Sequence, residues 1–313
     1  RYRNGELESL RTFQRKSTDE SLSAGPDREG NLWIGVDRSG LQRLSPRKIT
    51  SFTTGEGLAH DNVWSIFEGQ DGSMWIGTEG GVTRFKDGQS TLLTRADGSI
   101  QRDVRAVAED REGTLWVGTM RSLEYTRNGE TKPVEFPGEW FETKIRALHP
   151  GRDGSMWVGT VRGLTRLHGD QRTKYTQAEG LGSDEVRAIL EDRSGDLWVG
   201  TLGGGLSRLQ DGRFTTFTTT NGLPSNNVWA LCEDPDGVLW IGTDNGLSRL
   251  QNERITNLSI AHGLPDPLVN FIVADDGGRL WIGHDRGIYA LDRKELEEVA
   301  RDQRTLVRAL AYG

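Results

Sequence analysis

Apolar residues in this chain fall in short alternating runs broken by Gly, Asp and Asn, and the same order of runs keeps returning. The clearest copy begins at Val228-Trp229-Ala230-Leu231, a β-prone run, and turns at Asp234, Asp236 and Gly237. Val238 to Thr243 then reads as a second strand, and Asp244-Asn245-Gly246 as a tight turn. Leu247 to Leu250 follows as a third strand, and a polar turn around Asn252 leads to a fourth over Arg254 to Ser259. The unit is therefore a small four-stranded antiparallel sheet.

Its period is fixed by a Leu-Trp-Ile-Gly-like core. The Trp stands at 33, 75, 116, 157, 198, 240 and 281, with successive separations of 42, 41, 41, 41, 42 and 41 residues. A Gly lies three residues before every one of these Trp and another two residues after it. Four short strands in a repeat of about 41 residues is the pattern of a propeller blade. Seven copies predict an all-β, seven-bladed β-propeller of four-stranded antiparallel blades, with a short C-terminal helix. A large flat side chain at a fixed strand position suits blade-on-blade packing, so the repeated Trp set reads as structural. The Asp six residues before Trp, at 27, 110, 192, 234 and 275, is expected to cap the hairpin turn.

The whole chain, 1–313, reads as one propeller domain, with the seven units over 15–291 and a helix and terminal strand over 292–313. Asp292-Arg293-Lys294-Glu295 is a helix start, and Leu296, Val299 and Ala300 form an apolar helical stripe. Two segments compete for the fourth strand of the last unit. Gly5 to Phe13, within 1–14, is the expected latch because it would join the two chain ends; Thr305 to Tyr312 is the alternative. Some units depart from the pattern. The third has Ser122-Leu123-Glu124-Tyr125 where others have Gly-Leu-x-Arg, and Glu139-Trp140-Phe141-Glu142 replaces the usual Gly-Leu turn. The first has the weak inner run Ser21-Leu22-Ser23-Ala24.

The units at 57–85, 180–209 and 222–250 closely resemble the two-component regulator propeller repeat. The stretch from Gly222-Leu223-Pro224 through Val228 and Asp234 to Trp240-Ile241-Gly242-Thr243 carries the likeness most fully. That resemblance implies the extracytoplasmic, periplasmic sensor region of a bacterial histidine kinase, often a hybrid one. It implies no catalytic residue, and it allows for a homodimer in the full-length receptor. A histidine kinase or other output domain would lie outside this chain.

Composition narrows the partners. With 46 acidic and 39 basic residues the net charge is −7, which gives no concentrated positive surface for nucleic acid. No run is long and apolar enough for a membrane helix. Cys232 is the single cysteine, so neither an internal disulfide nor a cysteine-based zinc site is expected, and no cofactor or metal is called for. The Asp-rich stretch at 234–237 reads as a turn and not as a calcium loop.

Residues that vary at repeated positions carry the functional expectation. The loops before the inner strand and between the second and third strands share one face of the ring. At the second position of successive inner strands stand Trp64, Arg105, Arg146, Arg187, Trp229 and Asn270. With His60, Arg121, Arg162, His284 and Arg286 from the loops, they form the expected ligand site at the mouth of a central funnel. Three Arg and two Trp there suit a carbohydrate, above all an acidic one, through stacking and forked hydrogen bonds. The plain alternative has these Arg pairing with Asp103, Asp184 and Glu185. Trp140 and Phe141 would anchor a protein partner if the ring is a scaffold. His60, His262 and His284 carry the lyase or hydrolase alternative, but no spacing or nucleophile motif supports it, and catalysis is not expected.

Overall fold

A computed structural model describes residues 2–3, 6–7, 21–26, 32–36, 40–45, 48–95, 97–136, 144–285 and 287–312. It contains seven four-stranded antiparallel sheets, and each is a blade whose strands follow chain order from the centre outwards. Blade 1 opens with Ser21–Pro26, blade 2 with Val63–Glu68, blade 3 with Val104–Glu109 and blade 4 with Ile145–Pro150. Blades 5, 6 and 7 open with Val186–Glu191, Val228–Glu233 and Phe271–Ala274. Each of these inner strands touches the inner strands of both neighbouring blades, blade 7 with blade 1 included, so they ring a central channel.

The repeated residues act where blades meet. Seven hydrophobic clusters span the ring, and each sets one repeated Trp against residues of the following blade. Trp198 packs with Leu239 and Ile241, and Trp240 packs with Leu280 and Ile282. The Gly after each Trp leaves a hollow for the residue that begins the next blade. A Cβ on Gly200 would lie 2.6 Å from Val228 Cγ1, and one on Gly159 would lie 2.6 Å from Val186 Cγ1. Blade 1 opens with Ser21 instead of Val or Ile, and there the hollow at Gly283 is filled by Phe271 of its own blade.

Polar groups complete each unit. Four of the expected Asp caps, at 110, 192, 234 and 275, bind turn amides, and Asp27 lies outside the described residues. Asp192 Oδ1 accepts from Ser194 N and Asp196 N. The other oxygen accepts the Trp indole N–H, at 2.7 Å in Asp192–Trp198 and 2.9 Å in Asp234–Trp240. Blade 2 has Gly69 at the Asp position, and Trp75 Nε1 donates instead to Glu109 of blade 3 at 2.8 Å. In blades 1, 2, 4 and 5 an Arg from the third strand covers the Trp ring, as Arg208 does over Trp198 at 5.3 Å and Arg43 over Trp33 at 5.4 Å. In blade 3 Tyr125 takes that place against Trp116, so the departure at 122–125 keeps the packing by another aromatic.

Ring closure differs from the expected latch. The outer strand of blade 7 is Ala309–Tyr312, paired with Gly287–Asp292 in the register Ile288↔Tyr312 and Leu291↔Ala309. Helix α1 (Arg293–Ala300) decides this, because it starts at its Asp292 cap directly after the third strand. Leu296, Val299 and Val307 join the cluster of Trp240, Leu258 and Leu264. Val307 N donates to His262 O and Arg308 N to Glu295 Oε2, which deliver residues 309–312 to the sheet edge. These contacts are local in sequence, whereas a latch from Gly5 to Phe13 would have to close a loop the length of the chain. Of that segment, Glu6–Leu7 pairs with Tyr2–Arg3, and Gly5 and 8–13 lie outside the described residues. Blade 7 meets blade 1 side by side through Phe271, Val273, Trp281 and Ile288 against Ile34.

The hollow-and-knob contact is directly testable. Gly200→Ala should destabilise the propeller by about 1–3 kcal/mol through overpacking. Adding Val228→Ala removes the methyl that clashes, so the double variant should lose less than the sum of the two single losses. Strictly additive losses in a denaturant-unfolding cycle would show that Gly200 does not seat Val228.

Candidate functional site

The inner strands of blades 2 to 6 share a local irregularity that builds the site. In each, the register with the second strand shifts just after the first residue, between Val63 and Ser65, Val104 and Ala106, Ile145 and Ala147, Val186 and Ala188, and Val228 and Ala230. The first residue is held in the glycine hollow of the preceding blade. The second is thus the extra residue of a bulge, which bends the strand and redirects a side chain. Those second residues are Trp64, Arg105, Arg146, Arg187 and Trp229, all partly buried.

They meet in an arc. Arg105 Cζ lies 3.6 Å from the centroid of the Trp64 ring, and Arg187 Cζ lies 5.0 Å from that of Trp229. Arg146, on the blade between, is close enough to both other guanidiniums to feel their charge. Burial, then repulsion from Arg187 and Arg105, lowers the Arg146 pKa, while Glu185 acts the other way. Arg146 remains a cation at any physiological pH. Arg187 Nη2 donates to Glu185 Oε1 at 2.6 Å, so the ion pairing expected as the plain alternative holds for that residue. Asp184 is otherwise engaged, accepting from Gln177 N at 2.8 Å. The Trp rings are thus covered by Arg on one face, a pairing that the spacing of the residues did not reveal.

The other expected residues have more local roles. Asn270 donates through Nδ2 to Asp285 at 2.8 Å, beside the blade 7 strand. His60 Nδ1 accepts from Asn62 N at 3.0 Å. Arg121 and Arg162 are exposed on the loops of blades 3 and 4, where their amides bond Thr119 Oγ1 and Thr160 Oγ1. His284 is buried, with Nδ1 3.4 Å from Asp266 Oδ2 and its ring against Tyr289. Arg286, Trp140 and Phe141 lie outside the described residues. The loops themselves form one face, because third-strand starts bond to the loop before the next blade: Gly40 N to Asp61 O, Gly163 N to Asp184 O, Gly205 N to Asn226 O and Gly246 N to Pro267 O.

At the far end of the inner strands is a second concavity of about 560 Å³, lined by His149, Leu190, Arg193, Cys232 and Val273 among others. The alternation of the strands did not mark it. His149 Nε2 accepts from Glu191 N at 3.2 Å. Burial, with a smaller push from Arg152, depresses its pKa to about 4, and burial raises the Cys232 thiol to about 11. Both side chains are therefore neutral near pH 7.

The family model described as "Two component regulator propeller" matches residues 57–80, 98–121, 180–203 and 222–245. Four of the seven units thus match that repeat. Among solved structures, the chain is similar to the extracellular domain of a protein described as a hybrid two-component system from B. thetaiotaomicron. That likeness has 22% identity and a TM-score of 0.77, and covers 88% of this chain and 40% of the other. The chain thus spans less than half the length of that extracellular domain. It is also similar in fold to virginiamycin B lyase from Staphylococcus aureus, with 18% identity, a TM-score of 0.70, and coverage of 90% and 97%. The WD40 propeller domain of Doa1 matches at 11% identity and a TM-score of 0.67, over 87% and 92%. No curated protein matches the chain in sequence. At these identities the structural likenesses establish a shared fold.

His60, His262 and His284 are set apart, in a loop of blade 2, in the 3-10 turn Ile260–His262 and at the end of the strand Arg279–His284, with Asn62, Ser259 and Asp266 as respective contacts. Among the described residues no three His, Cys, Asp or Glu side chains are grouped to hold a metal ion. His149 has a measurable consequence for stability. Its pKa lies near 4 when folded and near 6.5 in an unperturbed chain, so the unfolded state takes up the proton first as pH falls. The stability it contributes is whole above about pH 6.5 and is lost progressively towards pH 4. Melting temperatures recorded across that range should fall less steeply for His149→Gln than for the unaltered protein. Parallel pH profiles would show that His149 takes up its proton as readily in the fold as in the unfolded chain.

Proposed function

We propose that this propeller is the non-catalytic, ligand-sensing module of a bacterial two-component receptor and works outside the cytoplasm. Its ligand is a small molecule or oligosaccharide taken at the channel mouth on the loop face. The observation that carries this reading is the arc of Trp64, Arg105, Arg146, Arg187 and Trp229. Repeated positions build the ring, yet these five stand at one repeated position without being repeats of one residue. Extracellular two-component domains among the structural relatives support the receptor context. In such a receptor the ligand signals only if it binds one arrangement of domains or paired protomers better than another. The output domain then reads that difference.

A second reading, protein docking, draws on Ile260, Leu306 and Leu310, which are exposed on and around the segment that completes blade 7. A thermal-shift screen of the purified chain against neutral and acidic oligosaccharides separates the two. A true ligand at a hundredfold excess over its Kd stabilises the fold by about 2.7 kcal/mol, which in a domain of this size raises the melting temperature by several degrees. Trp229→Ala and Arg146→Ala should remove most of that rise. An unchanged melting temperature across the panel would overturn the oligosaccharide reading and favour docking at the rim.

A further inference from the structure

The chemistry of the channel mouth points to the class of ligand, and this step rests on the sensing role proposed above. We propose that the mouth is a site for a small organic or inorganic oxyanion with two negative charges, centred on Arg146 and flanked by Arg105 and Arg187.

Three observations converge on this. The first is a surplus of donors. The Nε atoms of Arg146 and Arg187 and the indole Nε1 atoms of Trp64 and Trp229 are buried and meet no acceptor among the described residues. Buried donors without acceptors are costly, and four of them around one opening call for a partner rich in acceptor oxygens. A neutral sugar would present donors as well as acceptors, and these four groups answer only the acceptors. The second is charge. The chain as a whole is at −7, yet here three guanidiniums from successive blades are gathered, and Arg146 faces two of them against the one carboxylate of Glu185. The third is preorganisation. Trp64 lies against Arg105 and Trp229 against Arg187, which fixes the outer two guanidiniums in place before anything binds. Arg146, on the blade between them, has no such ring against it among the described residues. An oxyanion bridging Arg146 and a neighbour would satisfy the donors and relieve the repulsion in one step. Trp64 and Trp229 then hold the outer guanidiniums and each offer an indole N–H, without serving as stacking platforms for the ligand.

Isothermal titration calorimetry with succinate and with inorganic phosphate, each at matched ionic strength, tests the inference on the intact chain. Saturable binding of either is expected, weakened about ten- to hundredfold in Arg146→Ala, in line with loss of a charged hydrogen bond. Arg146→Lys keeps the charge but not the fork and should fall between the two. Which probe binds tighter distinguishes a carboxylate from a phosphoryl ligand. Trp64→Leu should also weaken binding, and Trp64→Phe, which retains a ring under Arg105 but lacks the indole N–H, should restore only part of it. Heats that do not saturate for either probe, or equal affinity in Arg146→Ala, would overturn the anion site. If neutral oligosaccharides nevertheless raise the melting temperature, the sensing role stands and only the ligand class falls.

Discussion

A β-branched side chain seated over a glycine holds six of the seven blades against the one before, and most of what is constant in this sequence serves that contact. Val228 over Gly200 and Val186 over Gly159 leave no room for even a methyl group on the glycine. The Trp two residues earlier covers the same interface with its large face, as Trp198 does against Leu239 and Ile241. With the Asp192 carboxylate tying both the turn amides and the indole of Trp198, the turn, the ring and the interface are mechanically one unit. Close-packed contacts of this kind tolerate neither added nor lost volume. That intolerance is why the motif returns nearly unchanged seven times.

The same contact produces the functional surface. With the first residue of an inner strand pinned in its hollow, the strand must bulge at the second to recover register with its own sheet. The bulge residue is released from blade packing, so its identity is free to differ from blade to blade. Trp64, Arg105, Arg146, Arg187 and Trp229 occupy that position. A rigid ring thus holds five unlike side chains around one opening, and the Trp–Arg pairs at 3.6 and 5.0 Å show them interacting with one another across blades.

Closure of the ring follows a different logic from the blade interfaces. The last blade is completed from its own side by Ala309–Tyr312, and the ends of the ring meet through apolar packing of blade 7 against Ile34 of blade 1. Helix α1 makes this possible by burying Leu296 and Val299 beside Trp240 and turning the chain back to the sheet edge. Nearby contacts outcompete remote ones when both would fill the same strand position, because the remote segment must first be brought round at an entropic cost.

Strand grammar, blade number and the structural role of the Trp could all be read from residue order alone, because each depends on alternation, turn chemistry and period, which are local properties written along the chain. The variable bulge position could be read as well, since it shows as unlike residues at matching places in successive units. What the residues there do to one another was settled only by the fold. Arg105 and Trp64 are 41 positions apart, as are Arg146 and Arg105. Nothing in their order says that one guanidinium lies on a ring while its neighbour faces two like charges. The same holds for His149, Cys232 and the cavity they share, for the Arg that covers Trp33, Trp75, Trp157 and Trp198, and for the choice between two strands that fit the last blade by pattern. Pattern records which face a side chain takes within its own strand. Contact between blades depends on the curvature of the closed ring, and that exists only once all seven are packed together.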